Sequence, residues 1–263
     1  VSYNVCGYGG NFKYDHALDT ITSYAIRQNA DIVCIQEEQC IKHKAQERWA
    51  ELYPYNDTTR VDRDKTGKFM NVLGIHSRLP IIRKERIYYH SSANGSVAYY
   101  LKAGHDTIIV INNHLETTHL TKEDREDYRD ILKGKKERQQ AEEQLFTLIE
   151  KLAESMVKRA PEAEVVHTFV KDHKDSYPII VCGDFNDTPI SYTRHTLAKG
   201  LTDCFAEAGC GLGLSYNQKG FNFRIDHIFC STHFKPVTCT VDSKMDASDH
   251  YPIVCGMKMN NKH

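Results

Sequence analysis

The chain has no excess of positive charge. Lys and Arg number 34 against 35 Asp and Glu, a formal net charge of −1 over 263 residues. Proteins that live on nucleic acid usually carry a basic surplus, so the total gives that class no support and leaves room only for a local basic groove. There is no apolar run long enough to cross a bilayer as a helix. No Cys-x-x-Cys pair occurs, which argues against a zinc ribbon or a thioredoxin-type site. Nine cysteines is an odd number, so they cannot all be paired. Cys34, Cys182, Cys230 and Cys255 sit in short apolar runs and read as small buried hydrophobes, which favours a reducing compartment. Cys204 and Cys210 flank a short loop and are spaced for a local disulfide in an oxidising one. Repeats, low-complexity tracts and linkers are also lacking, so one domain over residues 1–263 is expected. The chain opens without Met on Val1–Cys6, which reads as the interior of a strand. Upstream residues are therefore expected to have been removed, and a signal peptide or membrane anchor with them. The compartment stays open between cytoplasmic and, with a leader removed, membrane-associated or periplasmic.

What is present alternates between strand and helix. Val1–Cys6 leads into the glycine-rich turn Gly7-Tyr8-Gly9-Gly10. A helix is predicted near His16–Gln28, with Leu18, Ile21, Tyr24 and Ala25 on one face. Ile32–Ile35 is a buried strand ending at Gln36-Glu37-Glu38. Asn71–His76, Ile81–Tyr89, Val97–Leu101 and Thr107–Asn113 are β-rich, separated by turn residues that include Ser92-Ala93-Asn94-Gly95. A charge-dense stretch, Thr121 to Gln144, reads as a solvated helix face. It runs into an amphipathic helix with Leu145, Leu148, Ile149, Leu152 and Met156 in phase, which Pro161 should stop. Pro178–Cys182 is another buried strand, ending in Gly183-Asp184-Phe185-Asn186. Two later strands carry Asp226-His227 and Asp249-His250.

Asn4, Glu37, His114, Asp184, Asn186, Asp226, Asp249 and His250 all fall at predicted strand ends, where α/β proteins assemble their sites. Singly, each has a structural explanation: a turn cap, a surface charge, an Asx turn, a buried histidine. Together, with no cysteine cluster, they make a hard, oxygen-rich set suited to Mg²⁺ or Mn²⁺ rather than to zinc. Histidines beside such a set donate to phosphate oxygens as charge builds there, and a carboxylate orients the imidazole through its other nitrogen. A further Asp holds the attacking water, which completes what phosphate-ester hydrolysis needs.

In this order and over nearly the whole chain, the motifs Ser2-Tyr3-Asn4-Val5, Ile35-Gln36-Glu37, Ser77-Arg78-Leu79-Pro80-Ile81, Asn113-His114-Leu115, Gly183-Asp184-Phe185-Asn186, Arg224-Ile225-Asp226-His227-Ile228 and Ser248-Asp249-His250-Tyr251-Pro252-Ile253 occur. The chain resembles the endonuclease/exonuclease/phosphatase superfamily, with its DNase I-like fold. The resemblance implies an α/β (α+β) four-layer sandwich, two packed and mostly antiparallel β-sheets flanked by helices. It implies that Glu37 binds the metal with Asn4 beside it and Asp249 close by, and that Asp184 positions or deprotonates water. Asn186 would steady the same phosphate, His250 would contact it with Asp226 orienting the ring, and His114 would be a second catalytic histidine. His114 speaks against the abasic-site endonuclease branch, which has tyrosine there. Residues 117–136 look like an insertion, by position near the mouth of the site. The expected function is Mg²⁺- or Mn²⁺-dependent hydrolysis of a phosphodiester, nuclease-like, or of a phosphomonoester. A lipid or inositol-phosphate phosphatase, and a non-catalytic binding module on the same fold, are the alternatives. The expected partner is a phosphate-ester substrate, nucleic acid among them, with the protein a monomer.

Overall fold

Runs of β-branched and aromatic residues build two six-stranded sheets. The first runs β13 (Phe234–Val241), β14 (Ile253–Met259), β1 (Ser2–Asn4), β2 (Ile32–Gln36), β4 (Val72–Ser77), β3 (Tyr55–Arg60). The second runs β5 (Ile81–Ile87), β6 (Gly95–Ala103), β7 (Asp106–His114), β8 (Ile179–Asp184), β12 (Asp226–Cys230), β9 (Thr202–Asp203). A short hairpin, β10 (Tyr216–Gln218) and β11 (Phe221–Phe223), stands apart. This is a computed structural model, and it describes residues 1–9, 16–38, 44–61, 71–91, 93–118, 120–218 and 221–260. Gly10, Ser92 and His119, which fall in segments read above, lie outside these.

Each sheet contains one parallel pair at its centre. β1 runs with β2, placing Asn4 opposite Gln36, and β7 runs with β8, placing His114 opposite Asp184. The other pairings are antiparallel. Leu73, Ile75, Val97, Tyr99 and Val110 fill the space between the sheets. Outside the first sheet, α2 (Ala17–Arg27) and α3 (Lys44–Leu52) bury Ile21 and Trp49 against Val33 and Ile35. Outside the second, α5 (Arg138–His173) packs Ala163, Val166 and Val170 on Ile109, Ile111 and Phe185. The four-layer α/β sandwich expected from the resemblance is the architecture found. No helix among the described residues is long and apolar enough to cross a membrane.

Three expectations are corrected. Pro161 does not stop the helix, because α5 runs through it to His173. Proline removes an amide donor and crowds the carbonyl four residues back. Here that carbonyl belongs to Val157, and both residues are exposed, so water can take it up. The apolar face around Leu145 is also only partly packed: Leu148 is buried, while Ile149 and Met156 are exposed. Burial by the second half of the helix holds the whole element. Third, Cys204 and Cys210 form no disulfide. Cys204, at the start of a short helix (Cys204–Ala208), turns into the inter-sheet core beside the Cys230 and Cys255 thiols, while Cys210 is exposed. Every described cysteine is free.

Candidate active site at the carboxyl ends of two parallel strand pairs

The parallel pairs deliver the polar residues. β1 and β2 bring Asn4 and, one residue beyond the strand, Glu37. β7 and β8 bring His114 and Asp184, and antiparallel β12 sets Asp226 opposite Asp184. Gly183 makes the approach of β8 to β7 possible. Its φ is +134°, and a Cβ there would stand 2.0 Å from the Asn113 carbonyl oxygen, so no other residue fits before Asp184. After β1 the chain makes a left-handed turn, α1 (Cys6–Gly9), with Gly7 at φ 61° and Tyr8 at φ 56°. The amide of Gly7 donates to the Glu37 carbonyl at 3.0 Å, which helps hold Glu37 at φ 54°. Asn186 is also left-handed at φ 51°, a conformation asparagine tolerates better than most.

Asp184 is the hub. Its Oδ2 accepts from Asn4 Nδ2 at 3.0 Å, and its Oδ1 accepts from the Asn186 amide at 2.8 Å. Two imidazoles converge on the same Oδ2, His114 Nε2 at 3.6 Å and His250 Nε2 at 3.7 Å. Asn4 Nδ2 also donates to Glu37 Oε1 at 3.0 Å, and its Oδ1 accepts from the Cys6 amide. The amide orientation follows from this network, because only the NH₂ end satisfies two carboxylates. His250 Nδ1 donates to Asp226 Oδ2 at 2.8 Å. Asn71 Nδ2 donates to His114 Nδ1 at 2.8 Å, so the His114 proton sits on Nε2, toward Glu37 and Asp184. Asp249 lies at the pocket beside Ser248, whose hydroxyl bonds the Asn4 carbonyl at 2.8 Å. The eight residues named from the sequence thus come together at one end of the sandwich.

Electrostatics divide these groups. Burial raises the Asp184 carboxyl above its usual range, and Asp226 adds to this against the two histidines. Burial works to lower His250, but the Asp226 and Asp184 charges outweigh it and hold the imidazole well above its ordinary value. Burial, then the charges of Asp249 and Glu37, push the Cys6 thiol far up. Asp184, Asp226 and His250 have ligand-capable atoms within 4.8 Å of one another. The 2.8 Å Asp226–His250 hydrogen bond already engages two of those groups with each other, so they read as a hydrogen-bonded relay. Glu37 is the better-placed metal donor: its side chain is 29 % exposed, and its Oε2 has no hydrogen-bond partner among the described residues. As oriented, Asn4 presents N–H groups to the carboxylates and serves to hold them.

The pocket above these residues has a volume of about 510 Å³. One wall is the β10–β11 hairpin, tied to the His250 loop by a Tyr216–His250 bridge and by an Asn217 amide to Asp249 carbonyl bond of 2.8 Å. The rest of the lining comes from α5, from Thr117, Thr118 and Leu120, and from α4 (Lys122–Leu132), which adjoins the hairpin through Tyr128 and Arg125. Thr121 caps α4 in a reciprocal box with Asp124, and Lys151 of α5 binds Asp124 at 2.7 Å. From the 117–136 stretch, Thr117, Thr118, Leu120 and Arg125 thus line the pocket.

Beneath the loops lies a buried ionic group that the sequence reading did not find. Arg159 Nε meets Asp187 Oδ2 at 3.2 Å, and its Nη1 donates to the Glu116 carbonyl at 3.0 Å. It clamps the segments that follow His114 and Asp184. One signal for it was in the sequence: Arg159 and Glu162 lie in phase with Leu148, Leu152, Val166 and Val170 on the buried stripe of α5. Asn71 carried no such signal. Glu162 Oε2 accepts from the Glu116 amide at 2.8 Å. Burial, with the Glu116 charge added, pushes its carboxyl from 4.5 up to about 7. A raised carboxyl binds its proton more tightly folded than unfolded, so stability falls as pH rises from about 4.5 to about 7. The full amplitude is about 3 kcal/mol. Glu162→Gln is expected to remove this slope, melting several degrees above the wild type at pH 8 and close to it at pH 4. Parallel melting curves across that range would contradict the assignment.

Of Asp226-His227, only the first belongs to the site. His227 faces the core, tilted against Phe185 at 5.1 Å with Nε2 on the Asp187 carbonyl at 3.0 Å, and burial lowers it to about 4. Alternation along β12 separates the two residues.

Similar folds are widespread among solved structures. A humanized D. rerio TDP2 superposes with a TM-score of 0.67 at 16 % identity, covering 98 % of this chain and 97 % of that one. A mannosyl-6-phosphatase of Bacteroides thetaiotaomicron gives 0.66 at 18 %, covering 98 % of each chain. The catalytic domain of human Nocturnin gives 0.63 at 14 %, covering 92 % of this chain and 86 % of that one. No curated protein matches the sequence. At these identities the likenesses establish a fold. The family rests on the match of its sequence model, Exo_endo_phos, to residues 1–250: the chain belongs to the endonuclease/exonuclease/phosphatase family.

Proposed function

We propose that the protein hydrolyses a phosphate ester by attack of water, with a divalent cation, Mg²⁺ or Mn²⁺, as cofactor. The observation that carries this reading is the convergence of two imidazole Nε2 atoms on one buried carboxylate oxygen, at 3.6 and 3.7 Å. Asp184, raised by burial, is suited to orient and deprotonate a water molecule. His114 and His250 would donate to the non-bridging oxygens, with Asp226 and Asn71 fixing the ring tautomers. Asn186 would hold the same phosphate from the next turn. Glu37 would hold the ion, with Asp249 as the nearest further carboxylate at the pocket. Such donors are hard oxygens, which fits Mg²⁺ or Mn²⁺. A bound divalent ion supplies charge neutralisation at the phosphoryl oxygens.

The test is a panel of phosphate mono- and diesters offered to protein stripped of metal. Turnover is expected only when Mg²⁺ or Mn²⁺ is restored, and EDTA should abolish it. If neither ion supports release of product from any ester, and calorimetry detects no ion binding, the chain is a binding module on this fold.

A further inference from the structure

The pocket's walls differ in kind from its floor. The floor is ionic. The walls carry Leu120, Leu152, Met156, Tyr216, Phe221 and Phe223. Aromatic rings connect the catalytic histidine to α4 without a break. Tyr216 stands 5.0 Å from the His250 ring, Phe221 lies 6.4 Å from Tyr216, and Tyr128 of α4 lies 5.2 Å from Phe221. Phe223 adds an edge contact to Phe221 at 4.7 Å. These pairs are edge-to-face, so the hairpin is held as a preformed surface.

Cations are scarce on this surface. Among the described residues no lysine lines the pocket, and its two arginines are engaged. Arg159 is buried on Asp187 and the Glu116 carbonyl. Arg125 Nη1 is held by the Leu120 carbonyl at 3.0 Å and the Tyr216 hydroxyl at 3.3 Å. A polynucleotide needs several phosphates met away from the one being cut, and these walls offer an apolar surface instead. The volume of about 510 Å³ falls in the range of small-molecule sites. Met156 remains 44 % exposed at the pocket, and Ile149 and Leu145, in phase with it on α5, are exposed too, so an apolar stripe runs along the helix from the cavity.

We infer that the substrate is a small phosphate ester carrying a hydrocarbon group, which seats between the β10–β11 hairpin and α5. The inference rests on the reading of the site as a phosphoesterase. The phosphate meets His114, His250 and Asp184 on the floor, and the hydrocarbon covers Met156, Leu152 and Phe221.

The experiment uses two homologous series, each below its micellar concentration. One is the methyl, butyl and octyl diesters of 4-nitrophenyl phosphate, read by nitrophenolate release. The other is the corresponding alkyl phosphate monoesters, read by phosphate release. In at least one series kcat/KM is expected to rise about three- to fourfold per methylene from methyl to butyl, the increment for burying a CH₂ group. Met156→Gln, at an exposed helix position that tolerates polarity, should lower the butyl-to-methyl ratio several-fold. Phe221→Ser should do the same from the opposite wall. Equal kcat/KM along both series overturns the inference while leaving the phosphoesterase reading intact. So does faster, steeply salt-dependent cleavage of a single-stranded oligonucleotide. If no ester is cleaved at all, the methyl esters included, the underlying reading fails.

Discussion

Asp184→Asn is expected to lower kcat by about 10²–10³, the usual loss when one positioned electrostatic group is removed from a reacting centre. Asparagine keeps the shape. Its Oδ1 can still accept the Asn186 amide, and Gly183 still lets β8 end against β7. What disappears is the charge on which Asn4, His114 and His250 converge. Stability should change little. A neutral amide removes the burial penalty of the ionised carboxylate, but its NH₂ then stands against the Asn4 NH₂ that donated to the lost oxygen. The melting temperature should move by a few degrees at most while turnover collapses, the split expected of a group kept for function. Steady-state kinetics and a thermal melt on one preparation decide it. A joint fall of both would mark Asp184 as structural.

Arg159→Leu should have the largest effect on stability, about 3–5 kcal/mol, because it strands a buried carboxylate. Arg159 and Asp187 have side-chain exposures of 1 % and 3 %, so solvent cannot take over from either partner. For a chain of this length the melting temperature should fall by roughly 10 °C. Adding Asp187→Asn should recover much of the loss, since the uncompensated charge goes with it. A single variant that melted with the wild type would show the pair to be solvated. If the double variant stayed as unstable as the single, packing of the Arg159 side chain would be the term that matters.

The site was more legible in the sequence than the elements around it. His114 and Asp184 close strands buried on both faces, and apolar runs that end abruptly in polar residues announce themselves. Asn4 and Glu37 close β1 and β2 in the same way. The polar strand β3 and the three-residue strands β10 and β11 carried no such signal. The hairpin leans on the chain around His250 far more than on its own pattern. Phe221 and Phe223 become a wall only because Tyr128 and Tyr216 stand beside them. Arg159 sat in a helix that Pro161 was expected to end, so its in-phase charge was passed over. Cys204 and its sequence neighbour Cys210 are spaced for a local disulfide in an oxidising compartment, whereas the neighbours of Cys204 in space are Cys230 and Cys255. In each failure the deciding contact spans distant segments.

The site is split between two plates. Glu37 rides on one sheet, His114 and Asp184 on the other, so the gap between them is a matter of inter-sheet shear. The Gln36 side chain reaches Asn112 across that gap at 2.6 Å, and Asn112 returns bonds to the Ile35 and Gly74 carbonyls at 3.0 and 2.9 Å. Both side chains are fully buried. One lies a residue below Glu37, the other two below His114. This amide pair is a caliper: it sets how far Glu37 stands from His114 and Asp184, and it does so without touching the pocket.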